Sequence, residues 1–197
     1  QLYFNPGLPE NREYICKIIR DIITRYDVDA LHMDDYFYPY PTPGVDFPDD
    51  LAFAAYGRGF SNKGDWRRDN VNILIKEIHE TVRECKPWVK FGVGPAGVAG
   101  KADTSAPVYV VEPCPSPSSD WQYNGIYADP LAWYNEHTID YMAPQIYWTI
   151  NSTSNYDLLS RWWSDMACHF SRHMYVSHSL SALKPNGTSL SSGQLHM

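Results

Sequence analysis

Apolar residues recur at helical spacing in several parts of the chain. The clearest stripe is spaced i, i+3, i+4, i+7, i+8 and i+11, and it consists of Ile15, Ile18, Ile19, Ile22, Ile23 and Tyr26. A second stripe predicts a helix over about 68–84 and consists of Val71, Leu74, Ile75, Ile78 and Val82. A third helix is predicted from Asp129-Pro130, because Asp is a good N-cap and Pro a good first helical residue. A fourth is predicted over about 156–168.

Short apolar segments alternate with these helices and predict strands. They cover residues 29–36, 89–93, 140–148 and 174–178, and a preceding strand is predicted at residues 2–4. Strands that alternate with helices indicate parallel strands joined by helical crossovers. No GxxxxGK[ST] occurs, which disfavours a nucleotide-binding, doubly wound sheet.

The predicted fold class is therefore α/β, and the predicted architecture is a TIM (β/α)8 barrel. A complete barrel has about eight units in about 250 residues, whereas this chain supplies about four to five. We assign residues 1–183 to this partial barrel. Residues 184–197, which are polar and rich in Gly and Ser, are predicted to form a tail.

Composition bears on the partners of the protein. Seven Trp and fifteen Tyr in 197 residues are a high aromatic content, and such rings either stack on the apolar faces of sugars or fill a core. The net charge is −7 without a basic stripe, which argues against nucleic acid as a partner. No run of about 18 apolar residues occurs, so no transmembrane segment is predicted.

Two adjacent carboxylates end the strand before Tyr36. Asp34 and Asp35 are expected at the carboxyl end of a parallel strand, where α/β proteins place their sites. Alternation along the strand puts His32 and Asp34 on the inner face, and Leu31 toward the helices. Unpartnered charges are costly to bury, so the pair suggests chemistry; the alternative is a turn cap and an ion pair. Asp34 is the first choice for a catalytic carboxylate and Asp35 the second.

Glycosidic cleavage normally requires a second carboxyl group across the sugar. Asp34 and Asp35 are neighbours on opposite faces, so the second group is expected elsewhere. Glu112, in the long loop after the 89–93 strand, is the candidate. Asp129 is better explained as an N-cap, and Asp140, at the start of its strand, as a structural residue.

Amide, basic and aromatic residues supply candidate contacts to sugar hydroxyls and rings. Gln145, Tyr147 and Trp148 end the third strand of the predicted series. Arg68 and Asn70 are expected at the start of the second helix, where a charged first turn is the simpler explanation. His32 is either a substrate or metal contact or an ordinary hydrogen-bonded histidine.

Several segments in a fixed order resemble the glycosyl-hydrolase-like 10 family over about residues 3–180. The most telling are Phe4-Asn5-Pro6-Gly7, His32-Met33-Asp34-Asp35-Tyr36-Phe37-Tyr38-Pro39, Arg67-Arg68-Asp69-Asn70 and Ala143-Pro144-Gln145-Ile146-Tyr147-Trp148. The resemblance implies a TIM barrel, glycoside hydrolysis and a location outside the cell or in its envelope. It also places Asn5 and Tyr36 among the substrate-binding residues, and Tyr38 is a further candidate for substrate binding.

The sequence thus predicts a glycoside hydrolase that acts on an oligo- or polysaccharide, and peptidoglycan glycan strands are one candidate. No cofactor and no metal are expected. One alternative is a carbohydrate-binding protein on a degenerate, inactive barrel. A weaker one is a metal-dependent hydrolase that uses His32 and the two aspartates.

Overall fold

A computed structural model describes residues 3–100, 112–118 and 120–179. Six helices and four strands follow one another in this part of the chain. In order they are α1 (Pro9–Arg25), β1 (Ala30–Asp34), α2 (Asp50–Tyr56), α3 (Lys63–Cys85), β2 (Lys90–Gly94), α4 (Trp121–Gly125), α5 (Pro130–Asn135), β3 (Tyr141–Met142), α6 (Tyr156–His169) and β4 (His173–Met174).

The four strands form one parallel sheet in the order β1-β2-β3-β4. Each strand therefore lies beside the strand that precedes it in sequence, with at least one helix between them. Isolated parallel bridges continue the ladder beyond the strand ends, from Ala96 to Gln145 and from Gln145 to Ser177. Sequential parallel order with helical crossovers confirms the predicted α/β class and is compatible with part of a (β/α) barrel.

The core lies between the sheet and the helices. It joins Ile19 and Ile23 of α1, Ile75 and Ile78 of α3, and Phe91 of β2, all of them buried. Burial alternates along β1, where Leu31 and Met33 pack against the core and His32 and Asp34 are exposed. One face of the sheet is thus covered by helices, and the other carries the polar side chains.

Asp140 ties the start of β3 to its neighbours. Its carboxylate accepts a hydrogen bond from the backbone N–H of Phe91 at 2.8 Å and forms an ion pair with Arg83 of α3. This position is far from the carboxyl ends of the strands, so the structural role predicted for Asp140 is confirmed. Asp129 caps α5 through a 3.1 Å bond from the backbone N–H of Ala132, also as predicted.

Several element boundaries differ from the sequence-based predictions. Helix α3 begins at Lys63 rather than near Arg68, because the side chain of Asn62 caps the N–H groups of Gly64 and Asp65. Arg68 therefore lies in the second turn of α3, not at its start. Helices α2 and α4 were not predicted, and α4 lies in the segment predicted as a long loop.

The predicted strand at residues 2–4 is not found at Tyr3 and Phe4, and Leu2 lies outside the described residues. The predicted tail, residues 184–197, also lies outside them. No described helix is long and apolar enough to span a membrane. All four cysteines are free thiols.

Candidate active site

The carboxyl ends of β1, β2 and β3 bring Asp34, Gly94 and Gln145 together. Asp34 pairs in register with Gly94, and the side-chain amide of Gln145 donates to the carbonyl of Gly94 at 2.8 Å. The same amide donates to Asp34 Oδ1 at 2.7 Å. Gln145 therefore joins three strands at one point.

Asp34 has the contacts of an anchored hydrogen-bond acceptor. Its Oδ1 also accepts the backbone N–H of Asp35 at 2.9 Å, so two donors converge on one oxygen. The side chain is otherwise exposed on the inner face of the sheet. Asp34 is thus positioned by its neighbours and remains accessible.

Asp35 is in the opposite situation. Only 1% of the residue is exposed, and Oδ1 has no hydrogen-bond partner among the described residues. Burial, and then the negative charge of Asp34, raise the pKa of Asp35 to about 6. Two adjacent carboxyl groups with different environments are a common basis for dividing acid and base roles.

A cleft of about 370 Å³ opens beside Asp35. Gln145 and a set of aromatic and small residues also line it, among them Tyr40, Gly97, Ser118, Trp121, Tyr147 and Trp148. Tyr147 is 45% exposed, as expected of a residue that is available to a ligand. Large aromatic faces with a few convergent polar groups are typical of small-ligand sites.

Residues 96–98 form one wall of the cleft, and buried side chains fix their backbone by hydrogen bonds. Buried Gln122 accepts the backbone N–H of Ala96 at 2.7 Å and donates to the carbonyl of Val98 at 2.9 Å. The indole N–H of Trp163 donates to the carbonyl of Gly97 at 3.0 Å. A Cβ on Gly97 would lie 2.5 Å from the carbonyl oxygen of Gln145, so only glycine fits here.

His32 lies on the same face of the sheet as Asp34. Its Nδ1 is 3.3 Å from the hydroxyl of Tyr141, and the two rings stack with centroids 5.9 Å apart. No group of three or more His, Cys, Asp or Glu residues suitable for a metal ion occurs in the described ranges.

Tyr36 is 53% exposed at the end of β1. Its ring stacks on that of Tyr40 at 5.4 Å, and Tyr40 meets Trp121 edge-on at 5.1 Å. These rings form a continuous aromatic row that reaches into the cleft.

Other predicted binding residues have structural contacts. Tyr38 is 1% exposed and packs edge-on against Phe47 and Tyr127, so it contributes to the core, and its predicted contact with substrate stays a prediction. The Arg68 guanidinium pairs with Asp65 and lies 4.0 Å from the centre of the Tyr123 ring.

Asn70 is fully buried in α3, and its Oδ1 accepts a 2.9 Å bond from Arg58. Its predicted contact with substrate stays a prediction. Asn5 Oδ1 accepts the backbone N–H of Gly7 at 2.8 Å, which closes the turn before α1.

Glu112 is exposed, and its backbone carbonyl accepts the indole N–H of Trp162 at 3.0 Å. Residues 101–111, which precede it, lie outside the described part of the chain. Its predicted role as the second carboxyl stays a prediction.

Sequence reasoning missed Tyr40, Gly97 and Trp121. Tyr40 and Trp121 lie in segments read as loops, where no periodicity marks an inward side chain. The one available signal was the pair of close glycines around Pro95, which indicates a close backbone approach.

The sequence model of the glycosyl hydrolase-like 10 family matches residues 1–186. The chain belongs to this family. The match covers both carboxylates, the Gln145 segment and every described helix and strand.

Two proteins named as glycosyl hydrolases are similar to most of this chain. It is 43% identical over 195 residues to glycosyl hydrolase YngK of Bacillus subtilis, a match that covers 94% of this chain and 36% of YngK. It is 36% identical over 174 residues to glycosyl hydrolase DigH of Escherichia coli K12, covering 87% of this chain and 38% of DigH. The chain therefore spans little more than a third of the length of these relatives.

Proposed function

We propose that this chain carries the proton donor of a glycoside hydrolase, and that Asp35 is that donor. The observation that supports the proposal most is a buried carboxyl group with a pKa of about 6 that faces a cleft lined by aromatic rings. A general acid must hold its proton near the working pH, and a carboxyl group with an ordinary pKa does not. Membership of a glycosyl hydrolase-like family agrees with this role.

Asp35 would donate its proton to the glycosidic oxygen as the bond to the sugar carbon breaks. The positive charge of the oxocarbenium-like transition state would then develop near the Asp34 carboxylate, which stabilises it. Once deprotonated, Asp35 sits beside a second negative charge in a buried position. Both effects favour its recovery of a proton for the next turnover.

A second carboxyl group is needed to activate water or to attack the sugar. Glu112 is the candidate within this chain, and the remaining strands of a complete barrel are another source. We propose a complete (β/α)8 barrel for the full-length protein. The sequential parallel order of the four strands and the limited share of the relatives that the chain covers support it.

The proposed substrate is an amino-sugar-containing bacterial glycan, with peptidoglycan glycan strands as the first to test. The exposed Tyr147 and the partly exposed Trp148 offer faces for sugar rings, and the Gln145 amide offers polar contacts. A protein acting on this glycan would work outside the cell or in its envelope, which we propose as its location.

The test is release of new reducing ends by the full-length protein from glycan strands freed of stem peptides, beside a panel of other polysaccharides. Asp35→Asn keeps the shape of the side chain and removes its proton-donating group. Asp27→Asn is the matched control, because it makes the same change at an exposed residue just before the same strand. We expect release by the unsubstituted protein and by Asp27→Asn, and a loss of about 10²–10⁴-fold in Asp35→Asn.

Equal rates in Asp35→Asn and the control would remove Asp35 from the mechanism. Binding without release from every substrate would instead support the inactive carbohydrate-binding barrel.

A further inference from the structure

A second cleft lies next to the first, and Tyr40 lines both. It measures about 960 Å³ and is formed by Tyr3 and the loop that follows β1. We call its floor and walls the tyrosine platform, defined by Tyr36, Pro39, Tyr40, Thr42, Val45 and Phe47. Because Tyr40 stacks on Tyr36 and meets Trp121 edge-on, the platform continues directly into the cleft beside Asp35.

The platform is unusually apolar for an exposed loop. Val45 is 69% exposed, Tyr36 53% and Tyr40 47%. Among the described residues that line the platform none is charged, and the polar groups are the hydroxyls of Thr42 and the tyrosines. Flat rings with polar tips suit a neutral ligand that has both C–H faces and hydroxyl groups, which describes a sugar ring.

An ionic cluster built on the buried pair Arg67 and Asp49 holds the loop in place. Arg67 of α3 is 2% exposed and donates to both oxygens of buried Asp49, at 2.7 and 2.6 Å. It also pairs with Asp46 at 2.8 Å, and Lys63 bonds the same aspartate at 2.7 Å. A further bond from Arg67 reaches the backbone carbonyl of Phe47 at 3.2 Å.

The tip of the loop is a tight turn. The backbone N–H of Val45 donates to the carbonyl of Thr42 at 3.0 Å, and Gly44 takes a φ of 75°, which favours glycine. The tip and the base together fix an exposed apolar surface in one conformation. Such preorganisation lowers the cost of ordering the surface when a ligand binds.

We propose that the tyrosine platform binds further sugar rings of the same glycan, beyond those in the cleft beside Asp35. This inference rests on the proposed function and adds a preference for long chains. A strand long enough to cross Tyr40 gains contacts on the platform, whereas a short oligosaccharide occupies only the cleft. The platform contacts raise affinity without touching the bond that is cleaved.

The test compares long glycan strands with short oligosaccharides of the same repeat, both freed of stem peptides, in the full-length protein. Val45→Glu places a charge on the platform, and Val45→Ser removes the apolar group without adding charge. Leu51→Glu is the matched control, since Leu51 is an 88% exposed apolar residue on α2 that does not line the platform. KM and kcat are measured for each length, with the thermal midpoint of each variant.

We expect Val45→Glu to raise KM for long strands by roughly tenfold and Val45→Ser by roughly threefold, with kcat unchanged. Values for short oligosaccharides should stay within about twofold, and Leu51→Glu should change neither. Unchanged KM for long strands in both Val45 variants would overturn the inference.

An equal loss on long and short substrates, together with a lower thermal midpoint, would also overturn it. That result would mean that another part of the full-length protein covers the platform. If the unsubstituted protein released nothing at any length, the proposed function itself would fail. In that case the affinities of the unsubstituted protein and the Val45 variants for long strands would still show whether the platform binds the glycan.

Discussion

At the scale of single residues, the adjacent carboxyl groups of Asp34 and Asp35 differ in burial and in hydrogen bonding. Asp34 is exposed and holds two hydrogen bonds on one oxygen, while Asp35 is buried with an oxygen that has no partner among the described residues. Asp34 is the last residue of β1 and Asp35 the first residue of the bend that follows, so the two neighbouring carboxyl groups meet different environments. The two can therefore have different roles.

The pKa of Asp35 predicts the pH dependence of hydrolysis. As proton donor, Asp35 is active when protonated, so kcat should fall as pH rises through about 6. Asp34→Asn removes a negative charge that raises this pKa, so the fall should move to lower pH. Burial, the larger cause, remains, so the shift should be partial. A pH–rate profile of Asp34→Asn with an unmoved alkaline limb would contradict this account, provided that the variant retains measurable activity.

The same pKa predicts an effect on stability. In the folded state Asp35 binds its proton more tightly than in the unfolded state, where the pKa is near 3.8. The favourable contribution of Asp35 to the free energy of unfolding is therefore complete below about pH 4, and it is lost as pH rises through about 6. Asp35→Asn should raise the free energy of unfolding at pH 7 by up to about 3 kcal/mol and leave it almost unchanged at pH 3.5. Urea unfolding at both pH values measures the difference, and a destabilised variant at pH 7 would show that Asp35 has a structural role instead.

The sequence predicted this part of the site well but incompletely. Asp34, Asp35 and Gln145 could be identified because strand ends are recognisable from apolar periodicity. The burial of Tyr38 against Phe47 and Tyr127 could not be predicted, because no sequence pattern marks those contacts. Tyr40 and Trp121 could not be found, since only the folded loops bring them to the cleft.

At the scale of elements, the helices that hold the site depend on short polar signals. Because Asn62 caps α3, the helix begins at Lys63, five residues before the start that the apolar stripe predicts. Arg67 therefore lies in α3, where it bonds Asp49 of the loop after β1. Helices α2 and α4 have seven and five residues, too few for a periodic stripe to develop. The helices α1, α3 and α6 could be predicted because they are long enough for a periodic apolar stripe to appear in the sequence.

The ion pair between Arg67 and Asp49 should contribute strongly to stability. Arg67→Met leaves a buried carboxylate without its main partner, which costs about 3–5 kcal/mol. Arg20→Met breaks the exposed pair with Glu84, and its cost should stay below about 1 kcal/mol. Chemical denaturation of both variants compares them. Similar small losses would indicate that Lys63 or water satisfies Asp49 in the absence of Arg67.

Substitution of Gly97 tests whether the wall of the cleft can accommodate one additional methyl group. A methyl group in Gly97→Ala would meet the backbone oxygen of Gln145 at 2.5 Å and the Trp148 ring at 2.8 Å. Because the oxygen belongs to the backbone, the wall must shift, and hydrolysis should fall by about tenfold or more. In Gly100→Ala the nearest atom is 3.3 Å away in the Tyr123 side chain, so that variant should retain most of its activity. Equal activity of the two variants would show that the wall yields easily.

At the scale of the whole molecule, the sheet formed by the described residues begins at β1 and ends at β4. The backbone of β2 is paired on both sides, whereas β1 is paired only with β2 and β4 only with β3. Amide hydrogen exchange of the 197-residue chain alone should therefore be slowest in β2 and faster in β1 and β4. In a full-length protein with the proposed complete barrel, protection should extend to β1. Fast exchange of β1 in that protein would argue against closure at this edge.

The order of the strands has a consequence for synthesis on the ribosome. Among the described strands, each pairs with the one made just before it, across 32 residues for Tyr141 with His173 and 60 residues for Ala30 with Lys90. Each pairing therefore has a loop-closure cost, but none of them requires a strand made later than its immediate successor. Each new βα unit can therefore dock onto the growing sheet as it emerges. The Asp34–Asp35 pair, made early, acquires its Gln145 contact only when the third strand has joined, so the site is completed late in translation.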